Sequence, residues 1–322
     1  MQFIAYTKLM RIDKPIGSLL LLWPTLTALW IASQGQPPLD LVIIFILGTF
    51  IMRSAGCVIN DFADRNFDGE VERTKSRPLA TGEVKPIEAI ALFLILSLCG
   101  ACLLIFLNRF TQLLAFIALF VIILYPFSKR WTHLPQFVLG IAFSWGILMA
   151  WSAVTSELST LPLVLFATSV IWIIAYDSLY AMVDREDDLT IGIKSSAILF
   201  GDKAHLIIGI LMSLTVLGFC LFGTLLDFGG FYYIGVMLCS LLFIYQLKLI
   251  SNRNRENYFK AFLNNNWVGL ALFAGTVLET APWAAIWRGF FTRLVLLLTR
   301  LTRDLRQSLN GLPYWWSLQR WL

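Results

Sequence analysis

Hydrophobic and polar positions alternate along this chain in long blocks. Nine apolar runs can be drawn, most of them about as long as a membrane-spanning helix: 16–33, 39–57, 86–107, 110–127, 135–154, 162–180, 204–226, 230–250 and 264–280. None of these runs alternates with a period of two, and lipid permits only helices or closed barrels. The pattern predicts an all-α polytopic membrane protein with nine transmembrane helices.

The basic residues of the connecting segments predict the orientation of these spans. Seventeen Lys and Arg residues lie before the first span or in loops that follow even-numbered spans, and Arg109 is the single one in the alternate loops. Positively charged loops stay on the cytoplasmic side. The N-terminus and the polar ends of spans 2 and 6 are therefore predicted to face the cytoplasm.

Composition agrees with a membrane location and locates the excess charge. Of the 322 residues 58% are hydrophobic and 14% charged, and the mean hydropathy is +0.75. The net charge of +5 comes entirely from the segment that begins at Thr280. This distribution favours contact of that segment with the lipid bilayer and gives no support to a nucleic-acid partner. The five cysteines lie in apolar runs, which favours packing over a metal or redox site.

Two domains are expected, a transmembrane domain over 1–280 and a basic amphipathic extension over 281–322. The extension places Trp283, Trp287, Leu294 and Leu301 on one helical face, as in an interfacial helix. With nine spans it emerges on the non-cytoplasmic side, against the charge rule. Three interpretations stay open: it lies on the outer surface, the ninth span does not cross fully, or the extension arose by fusion or a change of reading frame.

An acidic cluster follows the second apolar run. Asn60, Asp64 and Asp68 are spaced four residues apart, and Asp61 lies three before Asp64. If the helix of span 2 continues past Asn60, these side chains share one face, because residues four apart are neighbours on a helix. Gly69 then marks the expected helix end.

A second cluster repeats the arrangement after the sixth run. Asp184 and Asp188 are four residues apart, and Tyr180 and Asp177 continue the same face towards the membrane. An ionisable group such as Asp177 inside an apolar run indicates a functional site. Arg53 lies seven residues before Asn60 and points from inside the membrane towards the first cluster.

Carboxylate and amide oxygens at two opposed helix ends are suited to Mg²⁺ and a diphosphate. Mg²⁺ is usually held by a few carboxylates together with substrate phosphates, and it stabilises charge on a departing diphosphate. The predicted metal ligands are Asn60, Asp64, Asp68, Asp184 and Asp188. Arg73, Lys75, Arg77, Lys129 and Arg130 lie on the same side and add cations. The competing interpretation is a pair of solvated polar loops.

At these residues the chain resembles the UbiA superfamily of intramembrane prenyltransferases, and within it the bacterial 4-hydroxybenzoate polyprenyltransferases of ubiquinone biosynthesis. The superfamily's NxxxDxxxD motif matches Asn60, Asp64 and Asp68, and its DxxxD motif matches Asp184 and Asp188. Further matched segments are LMRIDKPIG from Leu9, RSAGCVIND from Arg53, YPFSKR from Tyr125, AYD from Ala175, YAMVD from Tyr180, GIKS from Gly192 and NNN from Asn264. The resemblance runs from about Met10 to Gly275, and the extension departs from it.

The resemblance implies a Mg²⁺-dependent transfer of a polyprenyl chain from polyprenyl diphosphate to 4-hydroxybenzoate, at the ring carbon ortho to the hydroxyl. It implies a nine-helix transmembrane bundle with a central cavity that is open laterally to lipid, in a multi-pass protein of the bacterial inner membrane. The residues expected to act in catalysis are Asp64, Asp68, Asp184, Asp188, Asp177 and Tyr180. Those expected to bind substrate are Asn60, Asp61, Arg53, Lys129, Arg77 and Arg11. Lys129 and Arg53 would correspond to the family's diphosphate-binding cations, although Arg53 is equally suited to the carboxylate of the acceptor.

Two other functions are compatible with the sequence. The same fold can prenylate a different acceptor, such as a naphthoate, homogentisate or haem. An ion-coupled transporter would use the acidic groups as a cation pathway, but it would place acidic residues near the midplane of several spans, where the sequence has Asp177 alone.

Overall fold

The computed structural model describes residues 2–66, 68–192 and 194–283, and these residues are almost entirely helical. The helices are α1 (Gln2–Leu9), α2 (Ile16–Ala32), α3 (Leu39–Asp64), α4 (Pro86–Leu104), α5 (Arg109–Ser128), α6 (Pro135–Thr155), α7 (Thr160–Ile191), α8 (Ser196–Phe200), α9 (Ala204–Leu225), α10 (Gly230–Leu249) and α11 (Arg255–Thr280). Short 3-10 turns cover Gly201–Lys203 and Ile250–Asn252. No strand occurs within the described ranges, which confirms the all-α class.

The predicted spans correspond to helices in the structure. Within the described residues eight helical segments are long and apolar enough to cross a membrane, and the 17-residue helix α2 adds a shorter apolar one. Their outer faces expose large apolar side chains such as Leu94, Phe116 and Leu217. Lipid is the solvent that such faces require, so the chain is a multi-span membrane protein.

The helix of the second span ends earlier than predicted. Helix α3 stops at Asp64, and Asp68 lies in the turn that follows, so the expected continuous helix through Asp68 is wrong. The backbone N–H of Asp68 still donates to the carbonyl of Asp64 at 2.9 Å. This bond keeps Asp68 close to Asp64, and both residues line the same cavity.

Helix α7 occupies the middle of the bundle. In its most apolar 18-residue window 61% of residues are buried, against 17–44% in the other spans. Trp172 and Tyr176 on α7 are among the largest fully buried side chains. The helix has 32 residues and is therefore about 48 Å long, whereas the hydrocarbon layer is about 30 Å thick. It ends at Gly192, which adopts a left-handed φ of 78°.

A buried polar network links three helices of the core. The indole of Trp172 donates to Asn265 at 2.8 Å, and the amide of Asn265 donates to Gln246 at 3.1 Å. Because unpaired amides are costly in an apolar interior, this network fixes the register of α7, α10 and α11.

The chain divides into two units, Met1–Glu279 and Thr280–Leu322. The predictions for the extension, its amphipathic helix and its membrane side, concern residues that lie outside the described ones beyond Trp283. The boundary at residue 280 stays a prediction.

Close approach of α10 and α11 depends on glycine. A Cβ added at Gly235 would lie 2.8 Å from the carbonyl oxygen of Ala271 and 3.1 Å from the Cα of Gly275. Both neighbours are backbone atoms, so the helices would have to move apart. Small residues at such crossings are typical of membrane helix pairs.

We expect Gly235→Ala to destabilise the protein by about 1–3 kcal/mol through overpacking. The thermal unfolding midpoint in detergent measures this. Gly230→Ala is the matched control, because a Cβ there meets no atom within 4 Å. Equal midpoints for the two variants would contradict the proposed role of the crossing.

Candidate active site

The ends of α3 and α7 lie on one polar cavity of about 160 Å³. Its lining includes the predicted residues Asn60, Asp64, Asp68, Arg77, Lys129, Asp177, Tyr180, Asp184 and Asp188. The two acidic clusters are more than a hundred residues apart in sequence, yet they face the same small volume. The structure therefore brings together nine of the twelve predicted site residues here.

Arg73 connects the loop that follows α3 to the second acidic cluster. Its Nε donates to both carboxylate oxygens of Asp184 at 3.0 and 3.1 Å, and its Nη2 donates to Oδ2 at 2.5 Å. The guanidinium also lies 4.5 Å from the ring centre of Tyr180. An arginine that donates two hydrogen bonds to one carboxylate fixes the relative position of the two groups. Arg73 therefore holds the loop after α3 against the end of α7.

Two further cations hold the first cluster. Arg77 donates to both oxygens of Asp68 at 2.9 and 2.8 Å and lies 3.0 Å from Asp61. Lys129, at the end of α5, forms a short ion pair with Asp64. Since an unpaired carboxylate is costly to bury, these contacts explain how the acidic side chains are tolerated inside the protein.

Arg11 and Asp61 lie beside this cavity and line a larger one. Arg11 Nη2 donates to Asp61 at 3.1 Å, and Asp61 is only 1% exposed. The predicted substrate-binding residue Arg11 therefore reaches the acidic cluster through Asp61, and α1 is fixed to α3 by the same contact.

The larger cavity measures about 1030 Å³ and is lined mostly by apolar side chains of α2 to α7 and α11. It shares Asn60, Arg73, Arg77, Tyr125, Asp177 and Tyr180 with the polar cavity. A polar chamber thus adjoins a long apolar space. A molecule with a charged head and a hydrocarbon tail matches this division.

Arg53 lies within the large cavity. Its Nη1 donates to the sulfur of Cys57 at 2.5 Å, and its guanidinium lies 5.5 Å from the ring centre of Phe143. Its Nε is buried without a partner in the described part of the chain. A Cβ at Gly17 would lie 2.9 Å from Arg53 Nη2, so glycine at that position leaves the space that the guanidinium occupies.

The oxygen donors suit a hard divalent cation. Asn60 Oδ1 is buried and has no hydrogen-bond partner among the described residues, while its amide nitrogen lies 3.3 Å from Asp64. No three carboxylates within that part of the chain are close enough to hold a metal by themselves. An ion here would take some of its ligands from a bound phosphate, as Mg²⁺ commonly does.

Several lining residues were not singled out from the sequence as site residues. Thr74, Tyr125, Gln136, Lys194 and Ser195 face the polar cavity. The sequence places Arg73 on the same membrane side as the acidic clusters, but it does not predict the ion pair between Arg73 and Asp184. Neutral polar residues in loops leave no periodic pattern in the sequence. Only the segments that resemble the family, YPFSKR with Tyr125 and GIKS with Lys194, indicate this part of the site.

Burial changes the acidity of Asp68, which lies outside the membrane-spanning helices. Its pKa rises from 3.8 to about 6, chiefly because burial disfavours the charged form. Arg77 opposes this rise, and the charges of Asp61 and Asp64 add to it. The charged form of this carboxylate is therefore held at a cost, which a bound cation would reduce.

Comparison with known proteins decides the family. The model of the UbiA prenyltransferase family matches residues 21–270. The chain belongs to the UbiA prenyltransferase family. The resemblance inferred from the two acidic motifs is thereby confirmed.

Sequence and structural relatives agree with this family. The chain is 52% identical over 282 residues to a 4-hydroxybenzoate octaprenyltransferase of Marinobacter nauticus, with 86% of this chain and 94% of the relative covered. A UbiA homolog from Aeropyrum pernix K1, solved in its apo form, superposes with a TM-score of 0.73 at 24% identity, covering 82% of this chain and 98% of that one. A UbiA homolog from Archaeoglobus fulgidus, bound to GPP and Mg²⁺, gives 0.64 at 17%, covering 86% and 99%. Both structures confirm the fold.

The raised pKa of Asp68 predicts a pH-dependent loss of stability. The folded protein holds this proton up to about pH 6 and the unfolded chain releases it near 3.8, so stability falls as pH rises through this window. In metal-free buffer the free energy of unfolding of wild type should fall between pH 4 and 7. We expect the fall in Asp68→Asn to be about 2 kcal/mol smaller.

Thermal unfolding midpoints across this pH range provide the measurement. Glu70→Gln is the control, because Glu70 is an exposed acid in the same loop. If the curves of wild type and Asp68→Asn run parallel, burial does not perturb Asp68.

Proposed function

We propose that this UbiA-family enzyme transfers a polyprenyl chain from polyprenyl diphosphate to the ring carbon ortho to the hydroxyl of 4-hydroxybenzoate, an early membrane step of ubiquinone biosynthesis. The observation that carries the proposal is a polar cavity between two acidic helix ends that adjoins a large apolar cavity and shares lining residues with it. The name of the 52% identical relative supports 4-hydroxybenzoate as the acceptor.

The diphosphate is expected in the polar cavity. Arg73 and Arg77 reach it from the α3–α4 loop, and Lys129 reaches it from the end of α5. A guanidinium group can donate two parallel hydrogen bonds to the oxygens of one phosphate. In the structure each of these cations contacts a carboxylate. Substrate entry exchanges those contacts for phosphate contacts, which frees carboxylate oxygens at the helix ends.

Asn60, Asp64, Asp68, Asp184 and Asp188 are the residues that would hold Mg²⁺. The buried and unpartnered Oδ1 of Asn60 supports this assignment. When bound, Mg²⁺ neutralises the diphosphate and stabilises the negative charge that develops as it leaves. The Mg²⁺ in the Archaeoglobus fulgidus homolog is in line with the same requirement.

The hydrocarbon chain is expected in the apolar cavity. The bond between the first prenyl carbon and the diphosphate oxygen breaks, and both bonding electrons leave with the diphosphate, which stays bound to Arg73, Arg77 and Lys129. The apolar walls exclude water that would otherwise capture the allylic cation. A ring carbon of the acceptor supplies the electron pair for the new bond, and the ring then loses a proton to a base.

The acceptor is expected near the junction of the two cavities. Asp177 and Tyr180 line both cavities, which places them where one of them can orient the phenol hydroxyl. Arg53 lies on the apolar side with an unpartnered Nε, and it can bind either the carboxylate of the acceptor or the diphosphate.

The enzyme is further proposed to lie in the bacterial inner membrane with both acidic clusters on the cytoplasmic side. The seventeen-to-one distribution of basic residues supports this orientation. Segments that follow α3, α5 and α7 all line the polar cavity, in agreement with a common membrane side.

Removal of the divalent ion is expected to abolish activity. Membranes are supplied with labelled 4-hydroxybenzoate and a polyprenyl diphosphate, with or without EDTA, and the prenylated product is quantified. We expect no product with EDTA and full recovery with excess Mg²⁺. A parallel panel of naphthoate and homogentisate tests the acceptor, and preferred use of either would refute 4-hydroxybenzoate as the substrate.

Loss of either acidic cluster is expected to stop transfer without preventing insertion. Asp64→Asn and Asp184→Asn should each lower kcat at least about hundredfold, the usual cost of removing a group that stabilises transition-state charge. Asp40→Asn is the control, since Asp40 is an exposed acid at the opposite end of α3. Near-normal turnover by the purified double variant would exclude a metal-binding role for these residues.

A further inference from the structure

A second polar cavity, of about 170 Å³, lies against another face of the α7 end. The last turns of α7, the start of α9 and the segment before α11 surround it. Its charged and aromatic lining consists of Arg185, Glu186, Asp202, His205, Arg253, Arg255 and Tyr258. None of these residues lines either cavity of the candidate active site, so it is a separate feature of the molecule.

Two polar atoms at this cavity are buried without a partner among the described residues. They are Nε of Arg185 and Nε2 of His205. Buried polar atoms of native proteins are nearly always hydrogen-bonded, and an arginine N–H has only the capacity to donate. The Nε of Arg185, a residue that lines the cavity, therefore lacks an acceptor oxygen.

The arginines at the cavity differ in whether they have an ion-pair partner. Arg255 is engaged, since it donates to Asp187 at 2.5 Å and to the carbonyl of Val183. Arg185 and Arg253 take part in none of the ion pairs found within the described ranges. Glu186, Asp202 and Arg253 are exposed, so water screens their charges, whereas Arg185 is half-buried.

The length of α7 indicates that the cavity lies near the depth of lipid headgroups. Helix α7 is longer than the hydrocarbon layer is thick, and the excess corresponds to more than about ten helical residues. Its last turns, which carry Arg185, therefore project beyond the apolar layer. Phosphate groups are abundant at this depth, and arginine binds their oxygens bidentately. A cavity of this volume has room for about five water-sized groups, enough for one phosphate.

We propose that this cavity is a binding site for a phosphate group, held by Arg185 and Arg253. The phosphate belongs either to a phospholipid headgroup or to free phosphate. Arg185 follows Asp184 directly, and Arg253 lies between α10 and α11. A bound phosphate thus ties the end of α7 to the α10–α11 connection and steadies the helix end that carries Asp184 and Asp188.

The full-length protein, purified in maltoside detergent without phosphate, tests the site. In one arm phosphatidylglycerol is added, with diacylglycerol as the lipid that lacks a phosphate, and in the other arm inorganic phosphate is added. The thermal unfolding midpoint is measured at each concentration, and native mass spectrometry counts the retained phospholipids. We expect a saturable rise of the midpoint with phosphatidylglycerol and no rise with diacylglycerol.

The double variant Arg185→Gln/Arg253→Gln should need at least about tenfold more ligand for half of this rise, the effect of losing one charged hydrogen bond. Lys203→Gln/Lys248→Gln is the matched control, because both lysines are exposed neighbours that do not line the cavity. Wild type and control should respond equally, which separates a local site from general attraction to anionic lipid.

Each result decides the proposal. An arginine-dependent response to phosphatidylglycerol supports the lipid as the source, and an arginine-dependent response to inorganic phosphate alone supports a soluble source. If the arginine variant responds like the control in both arms, or if wild type responds to neither ligand, the proposal is wrong. The unfolding midpoint without ligand and the size-exclusion profile show whether the variant is folded.

Discussion

The arrangement of this protein depends on the neutralisation of carboxylates buried beside a membrane. Asp64 and Asp68 near the end of α3, and Asp184 near the end of α7, are each less than a tenth exposed. Buried charges are stable only when paired, and breaking such a pair costs about 3–5 kcal/mol. Arg73, Arg77 and Lys129 supply the pairs, and in doing so they connect the α3–α4 loop, α5 and α7 around one cavity.

The same pairing gives a physical basis for substrate binding. The cations that stabilise the structure carry the charge that a diphosphate requires, and the acids they neutralise have the oxygens that a divalent ion requires. A metal–diphosphate complex offers each side a new partner in one step, so the net charge of the cavity changes little. The α3–α4 loop carries Arg73 and Arg77, two of the three cations that take part in the proposed exchange.

The apolar part of the site obeys a different constraint. Its walls come from helices whose outer faces contact lipid, and the cavity they enclose adjoins the polar chamber at Asn60, Asp177 and Tyr180. Arg53 and Asp177 are polar exceptions within this apolar space, and Gly17 leaves room for the guanidinium of Arg53. The reacting carbon of a prenyl diphosphate lies between its charged head and its apolar chain. The junction of the polar and apolar cavities is the part of the protein that corresponds to this carbon.

The sequence by itself determined the spans, because a helix in lipid needs about twenty consecutive apolar residues and leaves that signal in the chain. It also determined which acids cluster, because the four-residue spacing follows from helix periodicity. It misplaced the end of α3, since a turn that keeps a helical hydrogen bond, from Asp68 to Asp64, has the same spacing of polar residues as a helix. The tertiary structure alone decided that Arg73 pairs with Asp184 across 111 positions of sequence, that two cavities meet at Asp177, and that unpaired arginines gather on another face of α7. Such contacts arise from packing between distant segments, which local periodicity does not record.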